Sequence, residues 1–350
     1  MSALAPADLP SAFGIEAVGA ARSFGSVHAV RSATFTAPYG AVTGLIGPNG
    51  SGKTTLMLML ASLLKPDAGA VRIAGHDPVT EPGAVRAAMG WMPDLLGSWA
   101  NLSVRTTLEL TGRLHGLTRP EARTRADELI GIVRLEAFST QPTRVLSRGQ
   151  KQRLSLARAI VHDPRVLLLD EPASGLDPEA RVELRGIVRR FADEGRCILV
   201  SSHVLAELEE MADSAVYLDA GTTVSEERIA RARMSLRSWR IRGLDDAALV
   251  AALPQLGVDA SRVHADHQGT LVGFASDEAA AAFLTHAVGA GFAITAFAPA
   301  VGELEQTFLE LSRDGERTAA QQLADRAEDP KEDPNKDPTP KPPQDDGGLR

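Results

Sequence analysis

The chain has 350 residues, 44% of them hydrophobic, enough to bury one large core and a second, smaller one. A net charge of -8 excludes general nucleic-acid affinity, because neutralising a phosphate backbone requires clustered Lys and Arg on a basic surface. The single cysteine, Cys197, excludes an internal disulfide, and its apolar neighbours Ile198, Leu199 and Val200 suit a buried thiol in a reducing, cytoplasmic compartment.

Residues 1–12 are Ala/Pro-rich and read as a loose leader, with neither the basic start nor the apolar run of a signal peptide. The apolar run Val42–Ile46 predicts a buried strand that leads straight into a Gly-rich turn and then an apolar helix, Thr54–Leu64. The turn, Gly47-Pro-Asn-Gly-Ser-Gly-Lys-Thr-Thr55, fits G-x-x-x-x-G-K-[ST] between a strand and a helix, the context that a phosphate loop requires. Gly47, Gly50 and Gly52 permit close backbone approach, so that N–H groups and the helix N-terminus surround phosphate oxygens. Lys53 adds a mobile positive charge, and Thr54 can offer its hydroxyl to Mg2+. The candidate nucleotide contacts are therefore Gly47, Pro48, Asn49, Gly50, Ser51, Gly52, Lys53, Thr54 and Thr55.

From about 95 to 160 the pattern is helical. Thr118 and Pro120 mark a helix start, and Ala126, Leu129, Ile130 and Val133 form one apolar face. Leu146-Ser147-Arg148-Gly149-Gln150 opens a helix through Ile160, with Ser147 as N-cap. The phosphate loop already supplies a helix N-terminus to the nucleotide, so the partner of this second helix start must come from elsewhere.

Val166–Leu169 predicts a buried strand, expected beside the phosphate-loop strand, which ends in Asp170-Glu171-Pro172. Asp170 can hold Mg2+ through its water shell, and Glu171 can orient and deprotonate an attacking water. A helix begins near Pro178, followed by the strand Cys197–Ser201.

Further on, the pattern predicts strand Ser238–Arg242, helix Asp245–Leu253, strands around Val263 and at Leu271–Phe274, helix Asp277–Val288 and strand Phe292–Phe297. That order is βαββαβ. The uncharged stretch Ala279–Gly302 is long enough to span a bilayer, but Gly289, Gly291 and Pro299 break it into ordinary elements. A short helix, Gly302–Leu311, carries Leu304, Phe308 and Leu311 at helical spacing, and the acidic, Pro-rich residues 315–350 read as a disordered tail.

The joint pattern of these motifs resembles the ABC ATPase family over residues 14–225. The resemblance implies an α/β fold: a P-loop NTPase cassette with a RecA-like core, an antiparallel β subdomain and a helical subdomain at about 95–160. It assigns 13–225 to the nucleotide-binding domain and leaves 226–314 as a small α+β accessory domain. In the family's terms Leu146–Gln150 is the signature, with Ser147, Gly149 and Gln150 reaching the nucleotide of a second copy in a head-to-tail dimer. Val166–Asp170 is Walker B, Glu171 the catalytic base, Ser174-Gly-Leu-Asp177 the D-loop and His203 the switch histidine. Phe24 falls where an aromatic stacks on adenine.

Two positions depart from the commonest pattern. Asp94 stands where a glutamine normally touches Mg2+ and the water, and Arg148 replaces a signature glycine. The resemblance implies ATP and Mg2+ as cofactors, no nucleic acid, and an integral membrane permease that docks near Asp94 from the inner face of the cell membrane. The single cassette with an accessory domain is similar to ATPase subunits of ABC-2-type exporters. The alternative is a soluble or regulatory cassette that hydrolyses ATP weakly.

Overall fold

A computed structural model describes residues 12–314 except 95, 96, 98 and 267, so the expected leader and tail lie almost wholly outside the described residues. In chain order the elements are β1 (Phe13–Phe24), β2 (Val27–Pro38), β3 (Val42–Ile46), α1 (Lys53–Leu60), β4 (Ala68–Ile73), α2 (Pro82–Ala88) and β5 (Met89–Met92). Then follow α3 (Val104–Leu114), α4 (Arg119–Ile132), α5 (Arg148–Ala159), β6 (Val166–Asp170), α6 (Pro178–Asp193), β7 (Cys197–Ser201), α7 (Leu205–Glu209), β8 (Ser214–Asp219) and β9 (Thr222–Thr223). The last part holds α8 (Glu226–Arg233), β10 (Arg237–Gly243), α9 (Asp246–Ala252), β11 (Val263–Asp266), β12 (Gly269–Phe274), α10 (Asp277–Gly289) and β13 (Ile294–Pro299).

The first nine strands form one sheet in the order β4-β1-β2-β9-β8-β3-β7-β6-β5. Strands β8, β3, β7, β6 and β5 run parallel, whereas β4, β1 and β2 pair antiparallel. All five residues of β3, β6 and β7 are buried, as expected for parallel strands covered on both faces. Ile15, Leu45, Leu56, Met57, Leu168 and Leu199 meet in the core beneath them.

Strand adjacency corrects one expectation. The strand bearing Asp170 does not neighbour the phosphate-loop strand, because β7 lies between them, paired in parallel with both. All three strands are continuous apolar runs, so periodicity carries no information on which pairs with which. The first helix is also shorter than expected: α1 ends at Leu60, Ser62 adopts a left-handed φ of 58°, and Leu63 and Leu64 donate their N–H groups back to the Leu58 carbonyl. Pro66 follows shortly, and proline cannot continue a helix.

The helical region opens with strong local signals. Thr118 and Glu121 form a reciprocal capping box on α4, and Ser147 and Gln150 form another on α5. Beyond α8 the expected βαββαβ order is present as a four-stranded antiparallel sheet, β11-β12-β10-β13. Its core gathers Ile241, Leu249, Val272, Phe274 and Phe283, with Trp239 stacked on Phe297 at 4.7 Å between ring centres. Residues 303–310 are helical, and the Glu209 carboxylate accepts the Glu303 and Leu304 N–H groups at 2.6 and 2.8 Å. Residues 311–314 are also helical.

Candidate active site

Ligands of open α/β sheets gather at the carboxyl ends of the strands. Here four neighbouring parallel strands, β3, β7, β6 and β5, deliver in turn the phosphate loop, His203, Asp170 with Glu171, and Asp94 to one edge. A cavity of about 470 Å³ opens there, lined by Asn49, Gly50, Gly52, Lys53, Thr54, Thr55, Asp94, Asp170, Glu171 and His203.

The loop needs glycine at two points for a visible reason. A Cβ on Gly47 would lie 2.3 Å from the Leu218 carbonyl oxygen, and one on Gly52 would lie 2.2 Å from that of Ala29. Gly52 also has a φ of 100° at the N-cap of α1. The Lys53 ammonium donates to the Gly47 carbonyl at 2.7 Å and the Pro48 carbonyl at 3.0 Å, folding back over the loop it follows. Burial lowers the Lys53 pKa, and the Glu171 and Asp170 carboxylates oppose that shift. Ser51 is buried, while Thr54 is exposed at the cavity.

Asp170 and Ser201 pair across β6 and β7, and the Ser201 hydroxyl donates to Asp170 Oδ1 at 2.5 Å. Burial raises the Asp170 pKa and the Asp94 charge adds to the rise, whereas Ser201 and Lys53 lower it. Glu171 turns out of the strand with a left-handed φ of 50°, a conformation that costs a non-glycine residue about 1–3 kcal/mol. Its N–H donates to the Ser201 carbonyl at 3.1 Å, and its own carbonyl accepts from the Gln152 side chain at 3.0 Å. The Glu171 carboxylate meets His203 Nδ1 at 2.7 Å. Burial raises the Glu171 pKa and the His203 contact lowers it.

The signature residues Ser147, Gly149 and Gln150 sit at the start of α5 and do not line this cavity. Arg148 does: its guanidinium donates to the Ser174 hydroxyl at 2.9 Å, across the loop that follows Glu171. Phe24 ends β1, about half exposed beneath the Arg22 guanidinium, and is not among the lining residues. Residue patterns gave no sign of Val27, His28 and Ala29, which form one wall, or of Gln152. Ser201 is the partner that strand register alone could have revealed.

The residues present fit a nucleotide with a divalent cation. The glycine cradle admits phosphate against bare backbone, and Lys53 lies within it. Among the described residues no group of three His, Cys, Asp or Glu could hold a metal on its own. Mg2+ is held through one or two carboxylates plus substrate phosphates, which suits Asp170 beside a phosphate loop.

Residues 30–174 match the ABC transporter family. The daunorubicin resistance ATP-binding protein DrrA3 of Streptomyces coeruleorubidus is 39% identical over 208 residues, 59% of this chain and 66% of that protein. The daunorubicin/doxorubicin resistance ATP-binding protein DrrA of Streptomyces peucetius is 36% identical over 228 residues, 65% of this chain and 69% of that protein. The matched region thus spans about two thirds of each relative. The ATP-binding protein NatA of Bacillus subtilis is 33% identical, covering 57% of this chain and 81% of that protein. A solved ATP binding subunit of an ABC transporter is 28% identical with a TM-score of 0.57, over 62% of this chain and 92% of that one. The chain belongs to the ABC transporter family as an ATP-binding protein.

Proposed function

We propose that the chain is the ATP-hydrolysing subunit of an exporter, working with a separate membrane permease. The observation that carries this reading is the convergence of Lys53, Asp170, Glu171 and His203 on one cavity beside the phosphate loop. Residues 13–225 act as the nucleotide-binding domain and 226–314 as an accessory domain.

Lys53 leaves the loop carbonyls to neutralise phosphate oxygens, while the glycine-bounded amides hold them in place. Mg2+, when bound, supplies charge neutralisation at the phosphates, with Thr54 and Asp170 as its holders and Asp94 as an added oxygen donor. Glu171 accepts the proton of the attacking water, and His203 orients its carboxylate through the 2.7 Å contact. Ser147, Gly149 and Gln150 lie outside the cavity, which favours their use by the nucleotide of a second, head-to-tail copy. Loss of the terminal phosphate removes the differential binding that holds such a pair closed.

No helix among the described residues is long and apolar enough to cross a membrane. A groove beyond Asp94, walled by Trp91, Pro93, Gly97, His115, Arg158 and His162, offers a seat for a permease segment. His162 stacks on His115 at 3.8 Å and burial pushes it down to about 4, so this imidazole is uncharged at neutral pH and Arg158 supplies positive charge to the wall. The drug-resistance names of the relatives support export, and a permease partner would hold the chain at the inner membrane face.

Lys53→Ala tests the reading through ATP affinity in the presence of Mg2+. Loss of roughly tenfold or more is expected for removal of a charge-assisted phosphate contact. Unchanged affinity would contradict it.

A further inference from the structure

A cavity of about 650 Å³ lies away from the nucleotide edge, between the end of α4 and the helices α5 and α6. That volume falls within the range of about 300–1,000 Å³ typical of small-molecule sites. Its floor is apolar, with Val133, Leu156, Leu176 and Leu184 all nearly inaccessible to solvent. Its rim is cationic: Arg134, Arg153 and Arg190 line it with a single lining carboxylate, Glu183, while Arg190 lies 4.0 Å from Glu194 outside the lining. This local excess of positive charge runs against the acidity of the whole chain, whose net charge is -8.

Two lining positions depart from what their local structure favours. Gly186, in the middle of α6, is a lining residue where a Cβ would meet no atom within 4 Å. Glycine there weakens the helix, so propensity does not explain its presence. Arg134 takes a left-handed φ of 52°, the conformation that suits glycine after a helix, and still places its guanidinium on Glu183. Arg153 reaches the same carboxylate at 2.9 Å, so one acid organises two of the three cations at the mouth.

We propose that this cavity binds a fatty-acid-like monoanion, its apolar body on the leucine floor and its carboxylate among the rim guanidinium groups. Arginine suits that head group because its planar donors match a carboxylate. The site also touches the back of the catalytic loop: Pro172 and Leu176 line it, as does Gln152, whose side-chain amide holds the Glu171 carbonyl. Occupancy therefore changes ATP turnover, a consequence that rests on the ATPase reading given above.

The test is calorimetric titration of the full chain with dodecanoate below its micellar concentration, without nucleotide, beside dodecyltrimethylammonium as the opposite-charge control. Dodecanoate should bind one site per chain and the ammonium compound should not. Gly186→Leu fills the cavity while favouring the helix, and Arg153→Gln removes a rim charge; each should weaken dodecanoate about tenfold or more. Binding of both amphiphiles alike, or full affinity in Gly186→Leu, would overturn the proposal. Saturable, Gly186→Leu-sensitive binding to a chain that hydrolyses no ATP would support the site and count against the ATPase reading instead.

Discussion

His203 Nδ1 lies 2.7 Å from a Glu171 carboxylate oxygen, so the loop after β7 meets the end of β6 at the edge of the phosphate cavity. Burial alone would hold the Glu171 proton on to higher pH, and the imidazole draws that tendency back. The balance between these two effects sets the pH at which the carboxylate can act as a base.

His203→Ala removes the imidazole's lowering influence and leaves in place both the burial and the lowering contact of the residue 203 backbone N–H. A general base works only when deprotonated, so turnover rises as pH rises through the Glu171 pKa. The acid limb of the pH–rate profile is expected to move to higher pH, with turnover at neutral pH reduced by about tenfold or more. A profile with an unmoved acid limb would show that the contact does not govern Glu171.

Asp94 adds a third carboxylate to a cavity that must receive a triphosphate, and it already raises the Asp170 pKa. Asp94→Gln keeps an oxygen donor and removes the charge. Nucleotide affinity is expected to rise on the order of two- to tenfold, more at low ionic strength than at high, because salt screens the repulsion being removed. Nucleotide titrations at two salt concentrations check this, and equal affinities at low salt would count against it.

Cys197 is fully buried on β7, and burial pushes its thiol up to about 12. A thiol reagent at pH 8 should label the folded chain only as fast as it opens, and label the denatured chain at once. The raised value also fixes a sign for stability. The unfolded thiol ionises near its ordinary pKa and the folded one does not, so its stabilising contribution is present below that value and falls as pH rises toward 12, by at most about 1.4 kcal/mol per pH unit. Cys197→Ala should flatten the alkaline loss of stability, and rapid labelling of the folded chain would refute the burial.

Much of this site was legible in the sequence because its parts are local. Gly47–Thr55 carries its own turn chemistry, Ser147 its own capping box, and β6 its own apolar run ending in two carboxylates. What could not be read was adjacency. Three equally apolar strands gave no hint that β7 separates β3 from β6, and so the Asp170–Ser201 contact was hidden. Arg148 was visible as a departure from the family pattern, but only the fold shows it on Ser174 at the cavity. The wall of Val27, His28 and Ala29 depends on where the antiparallel strands lie against the core, a relation between distant segments that no local pattern encodes.

In the proposed function Glu171 deprotonates water for a nucleotide shared between two copies. Glu171→Gln preserves the shape of the side chain and removes its basicity, so sedimentation of this variant with ATP and Mg2+, read beside its phosphate release, addresses both halves at once. The expected result is an ATP-dependent dimer with phosphate release reduced by about a hundredfold or more. Ordinary phosphate release from a chain that stays monomeric would contradict it.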